Sequence, residues 1–127
     1  MTENEIGTIV VTTAIEIHRE LGPGLLESVY ETIFYKELRN KRLKTERQVP
    51  VPIEYRGIKF DEGFRADIIV ERKVILELKS VERISPVHAK QVQTYLKLTG
   101  CKLGYLLNFG APLMKNGIIR CANGLTE

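Results

Sequence analysis

Two runs decide the fold: Phe64-Arg65-Ala66-Asp67-Ile68-Ile69-Val70 and Val74-Ile75-Leu76-Glu77-Leu78-Lys79. Both are rich in branched residues and have the length of strands, and only Glu71-Arg72-Lys73 separates them, which is short enough for an antiparallel hairpin. Alternate residues of a strand share a face. Ala66, Ile68 and Val70 therefore share one face, with Val74, Leu76 and Leu78 as their cross-strand partners. That register sets Val70 against Val74, Ile68 against Leu76 and Ala66 against Leu78. On the other face it brings Asp67 opposite Glu77, with Lys79 two residues further on. Apart from these charged residues both strands are apolar on both faces, as in a sheet covered on each side.

Opposed residues have Cβ atoms about 4.5–5.5 Å apart, where like charges are destabilising. A solvated face would relieve Asp67 and Glu77, but their neighbours Ile69 and Ile75 argue for burial, and buried charges need a partner. Lys79 compensates in part. A hard divalent cation suits two carboxylates better, and a backbone carbonyl such as that of Leu78 could add a ligand. Such a site polarises a phosphoryl oxygen and activates water, while the lysine orients or deprotonates that water or steadies developing negative charge. Phosphodiester hydrolysis is the reaction class that this set of residues suits.

Around the hairpin the chain is read as one domain, with no repeat, low-complexity tract or Pro/Gly/Ser linker in 127 residues. Ile6, Ile9, Val10, Ile17 and Leu21 fall at helical spacing, so Glu3 to about Glu20 is expected to be an amphipathic helix. Gly22-Pro23-Gly24 stops it. A second helix is expected from about Leu25 to Lys41, with Leu26, Val29, Tyr30, Ile33, Phe34 and Leu38 on one broad face. Short extended segments follow: Glu46 to Tyr55, a turn at Arg56-Gly57, then Ile58 and Phe60. Pro50 and Pro52 put the first of these at an edge or make it irregular. Ser85-Pro86 is a helix start and Gly100 a helix stop. Leu103 to Asn108 reads as a strand, and Asn116-Gly117 as a hairpin turn within the tail. The fold class is α/β or α+β, with a mixed central sheet flanked by helices.

The hydrophobic share of 43% and charged share of 28% fit a globular chain and not a disordered one. Charges interrupt every apolar run well short of the roughly 18 residues of a membrane span, and Met1-Thr2-Glu3-Asn4-Glu5 is acidic where a secretory signal is basic. Cys101 and Cys121 form no Cys-x-x-Cys pair and are expected as reduced thiols of a cytoplasmic protein. The formal charge of +3 permits a polyanionic partner without demanding one.

Asp67 with Glu77-Leu78-Lys79 resembles the PD-(D/E)xK nuclease motif, with Ala66 where that superfamily carries its proline. The resemblance implies a restriction-endonuclease-like core. It also implies Asp67 and Glu77 as Mg²⁺ ligands, with Mn²⁺ as a substitute, and Lys79 as the lysine assisting the attacking water. Gln91-Val92-Gln93-Thr94-Tyr95 resembles the Gln-x-x-x-Tyr motif of the RecB-like and lambda-exonuclease-like branch. Spacing of four puts Gln91 and Tyr95 on one helix face, where both could reach the site or a phosphate; a core aromatic and a solvated amide are the structural alternatives. Gly24-Leu25-Leu26-Glu27-Ser28-Val29-Tyr30 resembles the signature of the GxxExxY family of the same superfamily. That resemblance runs over essentially the whole chain, including Gly63 to Asp67 and Gly104 through Asn108-Phe109-Gly110. In such nucleases an acid on an early helix often joins the metal site, which would be Glu27; compensation of the helix N-terminus is its alternative role.

Other signals are weaker. His88, one turn before Gln91, either contacts phosphate or is a partly exposed helix residue. His18 lies where a cation complements the end of the first helix. Arg65, expected on the face of Asp67, either contacts the scissile phosphate or pairs with the carboxylates. Lys36, Arg39, Lys41, Arg42, Lys44 and Arg47 could track a phosphate backbone, although Glu37 and Glu46 dilute that stretch and suggest a solvated face. Gly22-Pro23-Gly24 lacks the lysine and spacing of a P-loop. The expected partner is nucleic acid, DNA before RNA, with no membrane and with a homodimer covering a duplex as a hypothesis. A nucleic-acid-binding or protein-interaction module that keeps the nuclease fold without catalysis is the alternative.

Overall fold

The computed structural model describes residues 1–126. Helix α1 (Glu3–Leu21) starts on a reciprocal cap: the Thr2 hydroxyl accepts from the Glu5 amide at 3.2 Å and the Thr2 amide donates to the Glu5 carboxylate at 2.9 Å. Such pairing satisfies two backbone donors that a helix start otherwise leaves open. Gly22, at φ 73°, ends the helix as expected. Helix α2 (Glu27–Asn40) starts two residues later than its apolar pattern suggests. Gly24, at φ 103°, and the hydroxyl of buried Tyr30 account for this. That hydroxyl donates to the Gly22 carbonyl at 2.6 Å and accepts from the Leu25 amide at 3.2 Å, holding the connection non-helical.

Strands β1 (Thr45–Tyr55) and β2 (Ile58–Val70) form a long hairpin. Ile58, Phe60 and the Phe64–Val70 run are thus one thirteen-residue strand rather than separate pieces. Gly63 does not break it. A Cβ there would lie 2.5 Å from the Ile53 side chain, so the glycine lets the two strands approach closely. The register shifts between Val51 and Ile53, at Pro52, and β1 lies at the sheet edge. Both expected effects of the prolines are therefore present.

Strand β3 (Val74–Lys79) leads through helix α3 (Pro86–Thr99) to β4 (Leu103–Asn108), parallel to β3. Ser85 caps α3 and Gly100, at φ 78°, closes it. The tail corrects the expected hairpin. Met114–Gly117 is a single turn of 3₁₀ helix leading into β5 (Ile118–Ala122), because Met114 inserts into the core and Gly117 packs on the Asn108 carbonyl, where a side chain would collide. The sheet runs β1-β2-β3-β4-β5 and is antiparallel except between β3 and β4.

Both faces are covered. Ile68, Val70, Val74, Leu76 and Leu78 pack with α1 and α2, while Ile69, Ile75 and Leu106 pack under Val92, Tyr95 and Leu96 of α3. His18 at the end of α1 is buried, with Nε2 2.8 Å from the Ala111 carbonyl, so it joins the helix to the loop after β4 as well as standing at the helix end.

Candidate active site

The β2–β3 ladder pairs Val70 with Val74, Ile69 with Ile75 and Ile68 with Leu76, in the register expected from the sequence. Beyond Ile68 and Leu76 the side chains of Asp67 and Glu77 take over. The Leu78 amide donates to Asp67 Oδ2 at 2.9 Å, and the Asp67 amide donates to Glu77 Oε1 at 3.3 Å. Each carboxylate is thus fixed by the backbone of the opposite strand. Here the expected alternation fails: Ala66 packs in the α3-side cluster and Leu78 in the other, so the Ala66–Leu78 pair does not form. On the neighbouring strand Gln48 has φ 52°, between the pairs Arg47–Ile68 and Val49–Ala66. That left-handed residue twists the sheet edge beside Asp67.

Glu77 is 6% exposed and Asp67 half-buried. Burial, followed by the charge of Asp67, pushes the Glu77 carboxyl up to about 8. Burial also raises Asp67, against the opposing effect of the Leu78 amide. The hydrogen bond between the two carboxyls lowers Asp67 and raises Glu77, so the pair keeps a proton on Glu77 near neutrality. A buried and a half-buried acid in mutual contact, with their oxygens already oriented, are a donor set that fits a hard divalent cation. The N–H and C=O of one residue leave a strand on the same side, so the Leu78 carbonyl is directed into the same gap. Half-buried Lys79 stands near enough for its charge to lower both acids.

Tyr95 is buried on α3, its ring stacked on Phe64 with centroids 3.8 Å apart. Burial raises its hydroxyl, and the charges of Glu77 and Asp67 add to the effect, which puts Tyr95 beside the pair. Gln91, one turn earlier, is exposed. His88 is half-buried, and its Nδ1 accepts the Ser85 amide at 3.2 Å, completing the cap of α3. Arg65 is turned away from the acids and forks onto Glu62, at 2.6 and 3.0 Å. A carboxylate three residues away in its own strand meets the guanidinium in solvent, without the desolvation that reaching the buried pair would cost. Glu27, the first residue of α2, is exposed; its charge reaches Asp67. Among the described residues no three acidic, histidine or cysteine side chains lie close enough to hold a metal, so Glu27 does not close with Asp67 and Glu77 into a ligand cluster.

Three residues at this site escape sequence reasoning. Half-buried Glu31, one turn after Glu27, accepts the Gln48 side-chain amide at 2.6 Å, and burial raises its carboxyl with a further contribution from Asp67. Its only signal is the four-residue spacing from Glu27. Gln48 gives none. Buried Asn108 is a polar residue closing an apolar strand, and that is a legible hint. Its Oδ1 accepts from the amides of Val81 and Gly110 at 3.0 Å, and its Nδ2 donates to the Val81 carbonyl at 2.9 Å. With the Phe109 amide on the Lys79 carbonyl at 2.8 Å, this clamps the chain that follows Lys79. Beside it opens a cleft of about 740 Å³, lined by Leu25, Leu26, Glu27, Ser80, Val81 and Gly110 among others.

This chain is similar to a solved structure titled "Crystal structure of SSO0001", at 20% identity and a TM-score of 0.52, over 78% of this chain and 50% of that one. The likeness concerns the fold, and the chain spans half the length of that structure. No curated protein matches the chain. The family model described as the PD-(D/E)XK nuclease superfamily matches residues 4–121. With nearly the whole chain matched, and with paired acids and a lysine on the central hairpin, the protein belongs to the PD-(D/E)XK nuclease superfamily.

Proposed function

We propose that this protein is a divalent-metal-dependent nuclease that hydrolyses phosphodiester bonds in DNA, with RNA as the second substrate to test. The observation that carries the reading is the buried Asp67–Glu77 pair, whose amide-anchored carboxylates retain a proton that a cation would replace. Asp67, Glu77 and the Leu78 carbonyl would hold Mg²⁺, for which Mn²⁺ substitutes, and Glu27 would join them from α2. A cation bound there would polarise a phosphoryl oxygen and acidify its water. Lys79 orients the attacking water and steadies the charge that develops as the water oxygen displaces the leaving oxygen at phosphorus. Gln91 supports catalysis from the exposed face of α3. Tyr95, His88 and Arg65 would contact the substrate, Arg65 by exchanging Glu62 for phosphate.

The motifs around Glu27 and Gln91 support membership of the GxxExxY family and the RecB-like branch. A cytoplasmic location and a homodimer over a duplex complete the reading. Among the described residues no helix is long and apolar enough to cross a membrane. A monomeric sedimentation mass both with and without DNA would remove the dimer.

Calorimetric titration with Mg²⁺ and Mn²⁺, on wild type and on Asp67→Asn and Glu77→Gln, tests the metal site. Binding lost in both variants is the expected result; no binding to wild type even with a non-cleavable duplex would overturn the nuclease reading. The second reading, a binding module without turnover, is favoured by the separation of Glu27 from the acid pair. Lys79→Ala discriminates: an enzyme loses cleavage and keeps nucleic-acid binding, whereas a binding module has no cleavage to lose.

A further inference from the structure

The basic stretch from the end of α2 into β1 does not act as one solvated face. Lys41 turns to α1, where its ammonium meets Glu16 at 2.9 Å and Thr13 at 2.7 Å. Arg39 and Arg47 instead converge on half-buried Tyr35. Their guanidinium carbons lie 5.4 and 5.3 Å from its ring centroid, within the range of a cation–π contact. Arg39 also donates to the Tyr35 hydroxyl at 2.5 Å and Arg47 to the Thr32 hydroxyl at 3.0 Å.

The two acids of this stretch make no ion pair with either arginine. Glu46 pairs with Arg72 at 3.5 Å, and Glu37 lines a cavity with Glu16 and Glu20 against α1. Among the described residues no carboxylate lies within ion-pair distance of either Arg39 or Arg47. Two guanidinium groups are therefore held together by an aromatic ring and two hydroxyls without a contact ion pair, although the charge of Arg47 reaches Glu31. Planar guanidinium donors of this kind match phosphate oxygens.

Position gives the pair its meaning. Glu27, Glu31 and Tyr35 recur at four-residue spacing along α2 and so share a side of the helix. Arg47 precedes Gln48, which holds Glu31 beside the acid pair. We infer that Arg39 and Arg47, braced by Tyr35, form a phosphate subsite that grips the nucleic-acid backbone to one side of the bond at the acid pair. The inference rests on the nuclease reading and adds a substrate contact outside the Asp67–Glu77–Lys79 machinery.

Fluorescence anisotropy with a short labelled DNA duplex, in EDTA so that nothing is cleaved, tests the subsite across a salt series. The Arg39→Ala/Arg47→Ala protein is expected to bind about 10-fold more weakly at low salt, and its slope of log K against log salt should be shallower by about 1.8 for two lost phosphate contacts. Arg39→Lys/Arg47→Lys, which keeps the charge, should keep the slope. Lys102→Ala/Lys115→Ala removes the same charge elsewhere on the exposed surface and should leave the slope unchanged. An unchanged slope in the arginine-to-alanine protein, or an equal change in the control, would overturn the subsite. So would a wild type that binds no duplex. Metal titration at Asp67 and Glu77 is unaffected by these substitutions, so the nuclease reading stands or falls on that separate result.

Discussion

Burial of the Glu77 carboxyl beside Asp67 makes the stability of the metal-free protein depend on pH. Glu77 rises from an ordinary 4.5 to about 8 in the folded chain. Between those values the folded protein holds a proton that the unfolded chain has released. The associated stability is full below about pH 4.5 and is lost as pH rises through about 8. Asp67 is also raised and adds in the same direction. Thermal unfolding in EDTA should therefore show Tm falling from about pH 5 to about pH 9. Glu77→Gln should remove most of that slope, because the amide keeps an acceptor for the Asp67 N–H and carries no charge. A wild-type Tm flat across this window would show that Glu77 titrates normally. At the same scale, Phe64→Leu removes the ring stacked on Tyr95 and should cost about 0.5–1.5 kcal/mol, measurable by urea unfolding.

The elements whose limits were legible are those with local stop signals. Ser85-Pro86 and Gly100 bracket α3, and Gly22 ends α1, because caps and left-handed residues act within a few positions of the chain. The full length of β2 was not legible, since Gly63 looks like a breaker until Ile53 of the partner strand lies against it. Asn108 joins the ends of β3 and β4. Asn108→Ala would strip partners from the Val81 amide and carbonyl and from the Gly110 amide, groups that cost about 1–3 kcal/mol apiece when buried and unpaired. Water reaching the cleft offsets part of this, so a loss of about 2–4 kcal/mol is expected by chemical denaturation. Under the proposed nuclease function the cleavage rate should fall with it, because the same bonds fix the chain after Lys79. In the α3 layer, Gly104→Ala would put a Cβ 2.9 Å from Val92 Cγ1 and 3.2 Å from the Ile75 carbonyl. Overpacking of that kind should cost about 1–3 kcal/mol in the same measurement.

Over the whole molecule, the parts of the site that could be read in the sequence lie on one hairpin, where register follows from the alternation of Ile68 and Val70 with Leu76 and Val74. The parts that could not be read come from pairings between distant segments, such as Gln48 on Glu31 across 17 residues and Asn108 on Val81 across 27. Chain alternation also hides the turn of Ala66 to the α3 side, which occurs beside the left-handed Gln48 of another strand. The acid pair stands where these contributions meet: α2 brings Glu27 and Glu31, β2 and β3 bring the carboxylates, and α3 brings Tyr95. A cation held there would link β2 to β3 and stabilise the folded chain by mass action, by about 2.7 kcal/mol at a hundredfold excess over Kd. For a domain of this size that corresponds to a rise in Tm of about 10 °C. Thermal unfolding at about pH 8 with and without Mg²⁺ should show that rise in wild type and no rise in Asp67→Asn or Glu77→Gln. A rise that survives both substitutions would place the bound cation away from the acid pair and separate metal stabilisation from the proposed chemistry.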